Sequence, residues 1–368
     1  MADDVLREFI AKINAAYKGE IVEVGGRFGA LTLGRFSSGI LSLDCALGGG
    51  FPFSRVMVVA GNESSGKTLM ALKAVEQIKN YDHHTHLHRD FCDPKTFLPG
   101  RCLFVDLEGT FDLAWAKAVA NWDTEWHAVA RPEYAEQAID IVGSAMEENV
   151  FDLIVVDSIA QMTPTKEIEC SAEDWQQGLA ARLMNKAMRK WVARLNKISQ
   201  GNPAGGPAIM CLNQFRVTMG VMYGDPRVMP GGKGQVFASS IIIYNRSQKV
   251  SDGADKETSS VELGGVTMKN KTYVPKLNFT YNMGLRDGEK LAKGEVDNLK
   301  QLYTLGSKYG IIEHAKTGDD WYVGKRSWKT KKALLADMED DTALYRLLWR
   351  SVVAAATEKV EVADVSAE

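Results

Sequence analysis

The sequence has no apolar run near the roughly 20 residues needed to cross a bilayer, so no membrane association is expected. Its opening, Met1-Ala-Asp-Asp-Val-Leu-Arg-Glu8, has neither a basic nor an apolar stretch, and no secretory leader is expected. Cysteine is scarce. The five residues Cys45, Cys92, Cys102, Cys170 and Cys211 are scattered and odd in number, which argues against a disulfide framework and for a reducing, cytoplasmic setting. Charge of one sign is also lacking: the net charge is −3, so any attraction to nucleic acid must come from local charge. No internal repeat is present. What remains is an ordinary globular composition, 45% hydrophobic and 25% charged, over 368 residues, enough for one large core and a smaller domain.

One stretch organises the rest. An apolar run from Val56 to Ala60 reads as a buried strand. It breaks into Gly61-Asn62-Glu63-Ser64-Ser65-Gly66-Lys67-Thr68 and resumes as a helical pattern from Leu69 to Ile78. Gly, four residues, then Gly-Lys-Thr between strand and helix is a phosphate-binding P-loop. Its glycines let backbone N–H groups close around phosphate oxygens, and the helix presents its positive end to the same anion. Lys67 can reach the β- and γ-phosphates, and the Thr68 hydroxyl can ligate Mg²⁺. A chance Gly/Ser turn explains neither the strand before nor the helix after, so ATP or a related triphosphate is the expected ligand.

Residues 1–18 form an amphipathic pattern with Val5, Leu6, Phe9, Ile10 and Ile13 on one stripe. It caps its own core or docks on a second subunit. Downstream, Arg101–Asp106 and Phe151–Asp157 read as buried strands ending in acid. In an open α/β sheet such carboxylates face the ligand crevice. Glu108, just beyond the first, is a candidate to activate water, with a helix-capping acid as the alternative. Asp157 is placed to hold the Mg²⁺ shell with Thr68. A long helix from Gln177 to Ile198 has a seam of Met184, Met188, Trp191, Leu195 and Ile198, with Arg182, Lys186, Arg189 and Lys190 opposite. A polar loop, Thr163–Gln176, leads into it. Ala208–Gln214 is a fourth buried strand, opening into a long loop, Phe215–Gly234, that combines cations, methionines and glycines as a grip on single-stranded nucleic acid requires. Two β runs follow, Ala238–Tyr244 and Val261–Lys269. From about Met283 aromatic anchors mark a small C-terminal domain, and Glu358–Glu368 reads as a disordered acidic tail.

The segments 37–44, 61–68, 154–158, 178–184, 187–190, 213–216, 220–226 and 269–271, in that order, resemble the bacterial RecA recombinases over about residues 1–335. The resemblance is to a divergent or phage-encoded member of that family. The resemblance implies an α/β P-loop NTPase with a RecA-type core and a central, mostly parallel sheet. It also implies an N-terminal polymerisation helix (1–29), a core (30–282) and a small α+β C-terminal domain (283–368). The implied activity is a DNA-dependent ATPase that uses ATP and Mg²⁺. It would form helical filaments on single-stranded DNA, through the N-terminal helix and an ATP-bearing interface, and exchange strands with double-stranded DNA. A hexameric helicase on the same core, or a non-catalytic single-strand coating protein, are the alternatives.

By the same resemblance Glu108 is the catalytic carboxylate and Gln214 senses the γ-phosphate and relays its presence to the DNA loop. Lys269 and Lys271 reach the neighbouring subunit's nucleotide, and Asp112 and Trp115 flank the adenine. The loops 163–176 and 215–232 bind DNA, with Arg182, Arg189, Arg216, Gly231 and Gly232 as contacts and Met219 inserted between bases. Two departures stand out. The first loop is acidic, through Glu167, Glu169, Glu173 and Asp174, with Trp175 its one stacking surface. The segment Asn80–Pro99 is lengthened and holds His83, His84, His86, His88 and Cys92; their number raises zinc as an alternative, although their spacing fits no standard ligand pattern.

Overall fold

A computed structural model describes residues 2–17, 34–171, 178–202, 204–217, 227–252, 258–287, 291–315 and 318–365. It divides into two units, residues 1–33 and 34–368. The first unit holds helix α1 (Ala2–Tyr17), along which Val5, Leu6 and Phe9 are exposed.

The second unit is built on an eight-stranded sheet: β1 (Val56–Gly61), β2 (Cys102–Asp106), β3 (Ala128–Ala130), β4 (Leu153–Asp157), β5 (Ala208–Gln214), β6 (Ile241–Asp252), β7 (Thr258–Asn270) and β8 (Asn278–Gly284). Their spatial order is β8-β7-β6-β1-β5-β4-β2-β3. All pairings from β6 through β1 to β3 are parallel, and β7 and β8 add an antiparallel edge. The fold is therefore α/β with a mostly parallel sheet, as the sequence indicates. Strands β1, β2 and β4 are buried at every position because helices cover both faces. Successive side chains alternate between those faces. Met57, Val59, Phe104, Val155 and Met210 pack under α2 (Leu41–Leu47) and α3 (Lys67–Ile78). Val56, Val58, Val105, Ile154 and Ile209 meet α5 (Ala135–Glu147) and α7 (Leu179–Gly201) on the other side, with α4 (Leu113–Ala120) lying between β2 and β3 in the chain. The α7 seam holds: Met184, Met188, Trp191 and Leu195 are buried.

Three expectations need correction. Ala238 does not begin a strand; it ends a short helix, α8 (Gly234–Ala238), which follows the turn α6 (Thr165–Glu169) and α7 in the chain. The apolar run at 241–243 is the true start of β6, and the hairpin it forms with β7 is longer than the apolar runs because its outer half is polar. The tail is also helical. After α9 (Asn298–Lys308) and α10 (Lys331–Asp340), α11 runs from Thr342 to Val365, so the chain from Glu358 to Val365 continues a helix whose inner face, Leu344, Leu348 and Val352, is anchored in a third apolar cluster.

The lengthened segment 80–99 has a structural role visible in its contacts. Asp152, at the start of β4, is buried and accepts hydrogen bonds from the His83 ring at 3.0 Å, the His86 ring at 3.1 Å and the Arg101 N–H at 2.7 Å. The other His86 nitrogen lies 2.8 Å from the Ala204 carbonyl, and the ring stacks on Phe53 at 3.8 Å. At its far end Asp90 accepts from Arg346 at 2.7 Å and Arg350 at 2.9 Å, both on α11, and Arg350 covers the Phe91 ring. The segment thus pins α11 to the sheet. Among the described residues no group of three or more His, Cys, Asp or Glu side chains is arranged to hold a metal.

The hydrogen bond to Asp152 outweighs burial and raises the His83 pKa. Burial pushes Asp152 up, but the bonds from His83 and His86 prevail and hold it below the usual carboxylate range. A raised histidine stabilises fully below its unfolded value of about 6.5, and the contribution is lost as pH rises through the folded value. His83→Ala should therefore cost about 1.5–3 kcal/mol near pH 6, as expected for a bond to a charged group, and clearly less near pH 9. Urea unfolding of both proteins at the two pH values measures this, and a cost independent of pH would contradict it.

Candidate nucleotide site

The parallel strands end on one edge, and the predicted nucleotide residues collect there. Register sets Gly61 of β1 beside Gln214 of β5, and Asp157 of β4 beside Asp106 of β2. Between β1 and α3 the loop turns back so tightly that a Cβ at Gly61 would lie 2.3 Å from the Ser65 hydroxyl and 2.6 Å from the Asn245 carbonyl. Gly66, at φ 82°, makes the left-handed entry into α3. No side chain caps that helix, so its first N–H groups face the loop mouth. Asn62, Glu63 and Ser64 are exposed at the mouth, and Ser65 is buried with its hydroxyl unpartnered. The Lys67 ammonium bends back onto the carbonyls of Asn62 at 2.7 Å and Gly61 at 3.3 Å. Burial lowers its pKa, against the charges of Asp157, Glu108 and Glu63.

Thr68 donates its hydroxyl to Asp157 at 2.8 Å, which joins α3 to β4. Burial pushes the Asp157 carboxyl up to about 6 even though the Thr68 bond lowers it. Glu108 caps no helix; that task falls to Asp112, whose carboxylate accepts from the N–H groups of Ala114 and Trp115 at the start of α4. One Glu108 oxygen accepts instead from Ser158 Oγ at 2.6 Å and from Gln214 Nε2 at 3.0 Å. Ser158 closes the acid-ended β4 motif, yet nothing in the local pattern assigns it a contact. The loop, the uncapped helix and the unpartnered Ser65 hydroxyl suit a phosphate chain. The oxygens of Thr68 and Asp157 suit a hard divalent cation.

Residues 4–286 match the family model for the RecA N-terminal domain. The chain is 32% identical to the protein RecA of Mesomycoplasma hyopneumoniae (strain 7448) over 345 residues, which cover 93% of this chain and 91% of that protein. It is 32% identical to the protein RecA of Francisella tularensis subsp. novicida (strain U112) over 330 residues, covering 89% and 82%. The chain belongs to the RecA family. Members of that family are in general DNA-dependent ATPases that use Mg²⁺.

The remaining RecA-type positions fall into three groups. Trp115 is half-buried with the Lys293 ammonium 4.9 Å above its ring, so Asp112 and Trp115 lie together at the head of α4. Lys269 and Lys271 do not approach their own P-loop. Lys269 pairs with Ile242 and Ile242 with Val58, which sets these lysines back from the loop end of the sheet. The Lys269 ammonium is bonded to the carbonyls of Val236 at 2.5 Å and Ser239 at 2.7 Å, around the end of α8. Of the positions expected to contact nucleic acid, Arg182 and Arg189 are exposed on α7. Gly231 and Gly232 take left-handed φ of 88° and 78° and pack on the same helix's first turn, where a Cβ on Gly232 would meet Ala181 at 3.1 Å. Arg216 pairs with Val228 in a short hairpin at the root of the second loop. Trp175, Glu173, Asp174 and Met219 lie outside the described residues. Among the described residues no helix is long and apolar enough to cross a membrane.

Asp157 gives a stability prediction. A carboxyl raised from 3.8 to about 6 is bound to its proton more tightly in the folded state, so stability falls as pH rises between those values and the cost persists above. Asp157→Asn, which still offers Thr68 an acceptor, should raise the stability of the nucleotide-free protein near pH 8 by at most about 3 kcal/mol and change it little near pH 4. Thermal unfolding at both pH values tests this; a less stable variant near pH 8 would refute it.

Proposed function

We propose that this chain is an ATP-dependent recombinase that polymerises on single-stranded DNA as a helical filament and catalyses homologous pairing and strand exchange with double-stranded DNA. The relatives bear the name RecA, and neither the helicase nor the coating-protein alternative is favoured by them. One observation carries the chemical part: Glu108 is bonded to Gln214, and Gln214 is the last residue of the strand that opens into the second loop. A carboxylate placed to handle water is thereby tied to the segment proposed to hold DNA.

In this reading the P-loop, Gly61 to Thr68, binds the triphosphate of ATP, and Lys67 leaves its loop carbonyls for the phosphates. Thr68 and Asp157 hold Mg²⁺, which when bound neutralises phosphate charge. Ser158 and Gln214 fix one oxygen of Glu108 and leave the other to orient and activate the attacking water. Asp112 and Trp115 flank the base. Lys269 and Lys271 serve the nucleotide of an adjoining subunit, in the manner of an arginine finger supplied in trans. Helix α1 joins successive subunits. Arg182, Arg189, Arg216, Gly231, Gly232 and Met219 grip DNA, with the second loop carrying more of the affinity than the acidic first.

Glu108→Gln keeps an acceptor for Ser158 and Gln214 but loses the base. It should lower DNA-stimulated ATP hydrolysis by about 10²-fold or more while ATP and DNA binding persist. ATPase and filament formation are to be measured on the same preparation, and near-normal turnover would remove Glu108 from its role.

Lys271→Ala and Lys67→Ala proteins should each be inactive alone, yet mixtures should recover part of the activity at interfaces where one copy supplies the P-loop and the other the lysine. No recovery at any mixing ratio would count against supply in trans.

A further inference from the structure

The end of β5 carries two consecutive amides that face opposite ways, as alternation along a strand requires. Gln214 turns to Glu108. Asn213, with no exposed surface, turns to the other face and donates Nδ2–H to the Gln235 side-chain carbonyl at 2.8 Å and to the Pro230 carbonyl at 3.0 Å. Gln235, equally buried, completes the joint by donating Nε2–H to the carbonyl of Pro230 and to that of Gly232 at 3.2 Å. Pro230–Gly232 is where the second loop re-enters the fold, immediately before α8. The joint spans 17 positions along the chain and so bypasses the loop itself.

Two buried amides are a costly way to fill a core, since aliphatic side chains of similar volume need no partners. This pair is not even fully satisfied, because Asn213 Oδ1 is buried without a partner. A buried acceptor left unpaired destabilises the arrangement that leaves it so, and a shift of the strand end can relieve it. The contacts fix position in a buried setting, where a displacement is transmitted rather than absorbed by bulk solvent.

We propose that Asn213 and Gln235 are positioning residues that join the nucleotide-facing end of β5 to the root of the second loop, so that movement of Gln214 is delivered to Pro230–Gly232. The inference rests on the proposed reading of Gln214 and of the loop. Gln235 touches neither nucleotide nor catalytic carboxylate, so its loss should spare the ATP site and affect only communication.

The test uses the full chain and a labelled single-stranded oligonucleotide. Its affinity is measured with a non-hydrolysable ATP analogue and with ADP, and the ratio of the two is the coupling, which for linked sites is about 5–150-fold. Gln235→Met keeps the side-chain length without polar atoms. It should reduce the ratio about fivefold or more while basal ATPase and the KM for ATP stay within about twofold of the parent. Gln235→Glu, which retains the acceptor for Asn213 but turns a carboxylate toward the loop carbonyls, should be uncoupled to a similar degree. It carries the test if the methionine variant does not fold. A parent ratio that is large and unchanged in both variants overturns the joint alone. A parent ratio near one overturns the proposed function and the joint with it.

Discussion

The in-register parallel pairing of β1 with β5 on one side and β6 on the other is the constraint on which the site depends. Six consecutive residue pairs, Val56 with Ile209 through Gly61 with Gln214, tie β1 to β5 without a bulge. A slip of one residue would turn the apolar faces of a strand buried on both sides and would carry Gln214 away from the loop. Because β4 is held to β5 in the same way, Asp157 reaches the level at which Thr68 can bond to it. The positions of Asp157 and Gln214 are therefore consequences of strand register, and Lys67, Thr68 and Glu108 follow within a few residues of the strand ends through the P-loop turn and the turn after β2.

That origin explains what could be read in the sequence. The strands at 56–61, 102–106, 153–157 and 208–214 are continuous apolar runs ending in Gly, acid or amide, a local signal that survives without tertiary information. The P-loop is likewise local. Features set by long-range contact were hidden. Ser158 looks like the end of a motif until the chain brings Glu108 against it, 50 positions away. Helix α8 is five residues long and lacks a repeating apolar pattern, so its Ala238 merges with the strand that follows. Helix α11 continues past a change to acidic composition because its earlier turns are already anchored by Leu344, Leu348 and Val352. The histidines at 83 and 86 suggested a metal by their number, whereas Asp152, 69 and 66 positions distant, accounts for both rings.

The 80–99 segment and the second loop show two ways of attaching a non-repetitive stretch to a rigid sheet. The first uses carboxylates: a buried one at one end, Asp152, which accepts from two histidine rings, and an exposed one at the other, Asp90, which binds two arginines of α11. The inner contact is sheltered from salt, while the outer one is screened and contributes less. The Asp90 end, which alone of the two touches α11, is thus the weaker link, and cohesion of α11 with the rest of the unit should reside chiefly in Leu41, which belongs to the same apolar cluster as Leu348 and Val352. The second loop is held by neutral amides. They fix direction without introducing a charge whose partner would compete with phosphate.

Lys269 and Lys271 draw the remaining consequence of register. The Lys271 N–H is bonded to the Ser240 carbonyl, and Ser240 in turn to Val56, the first residue of β1. Val56 is five residues from Gly61, so Lys271 lies roughly 16 Å back along the sheet at about 3.3 Å per residue. A lysine side chain cannot cover that distance around the flanking strands. If these lysines act on a nucleotide, it is one held by another copy of the chain. In a single copy the Lys269 ammonium is occupied by the carbonyls at the end of α8, and its pKa is lowered by burial and by Lys271 beside it. Two cations crowded in this way are poorly satisfied by backbone carbonyls alone, and a neighbouring polyphosphate would relieve their repulsion. The helix they would release is the one that begins beside the root of the second loop, so the two faces of a subunit meet at α8.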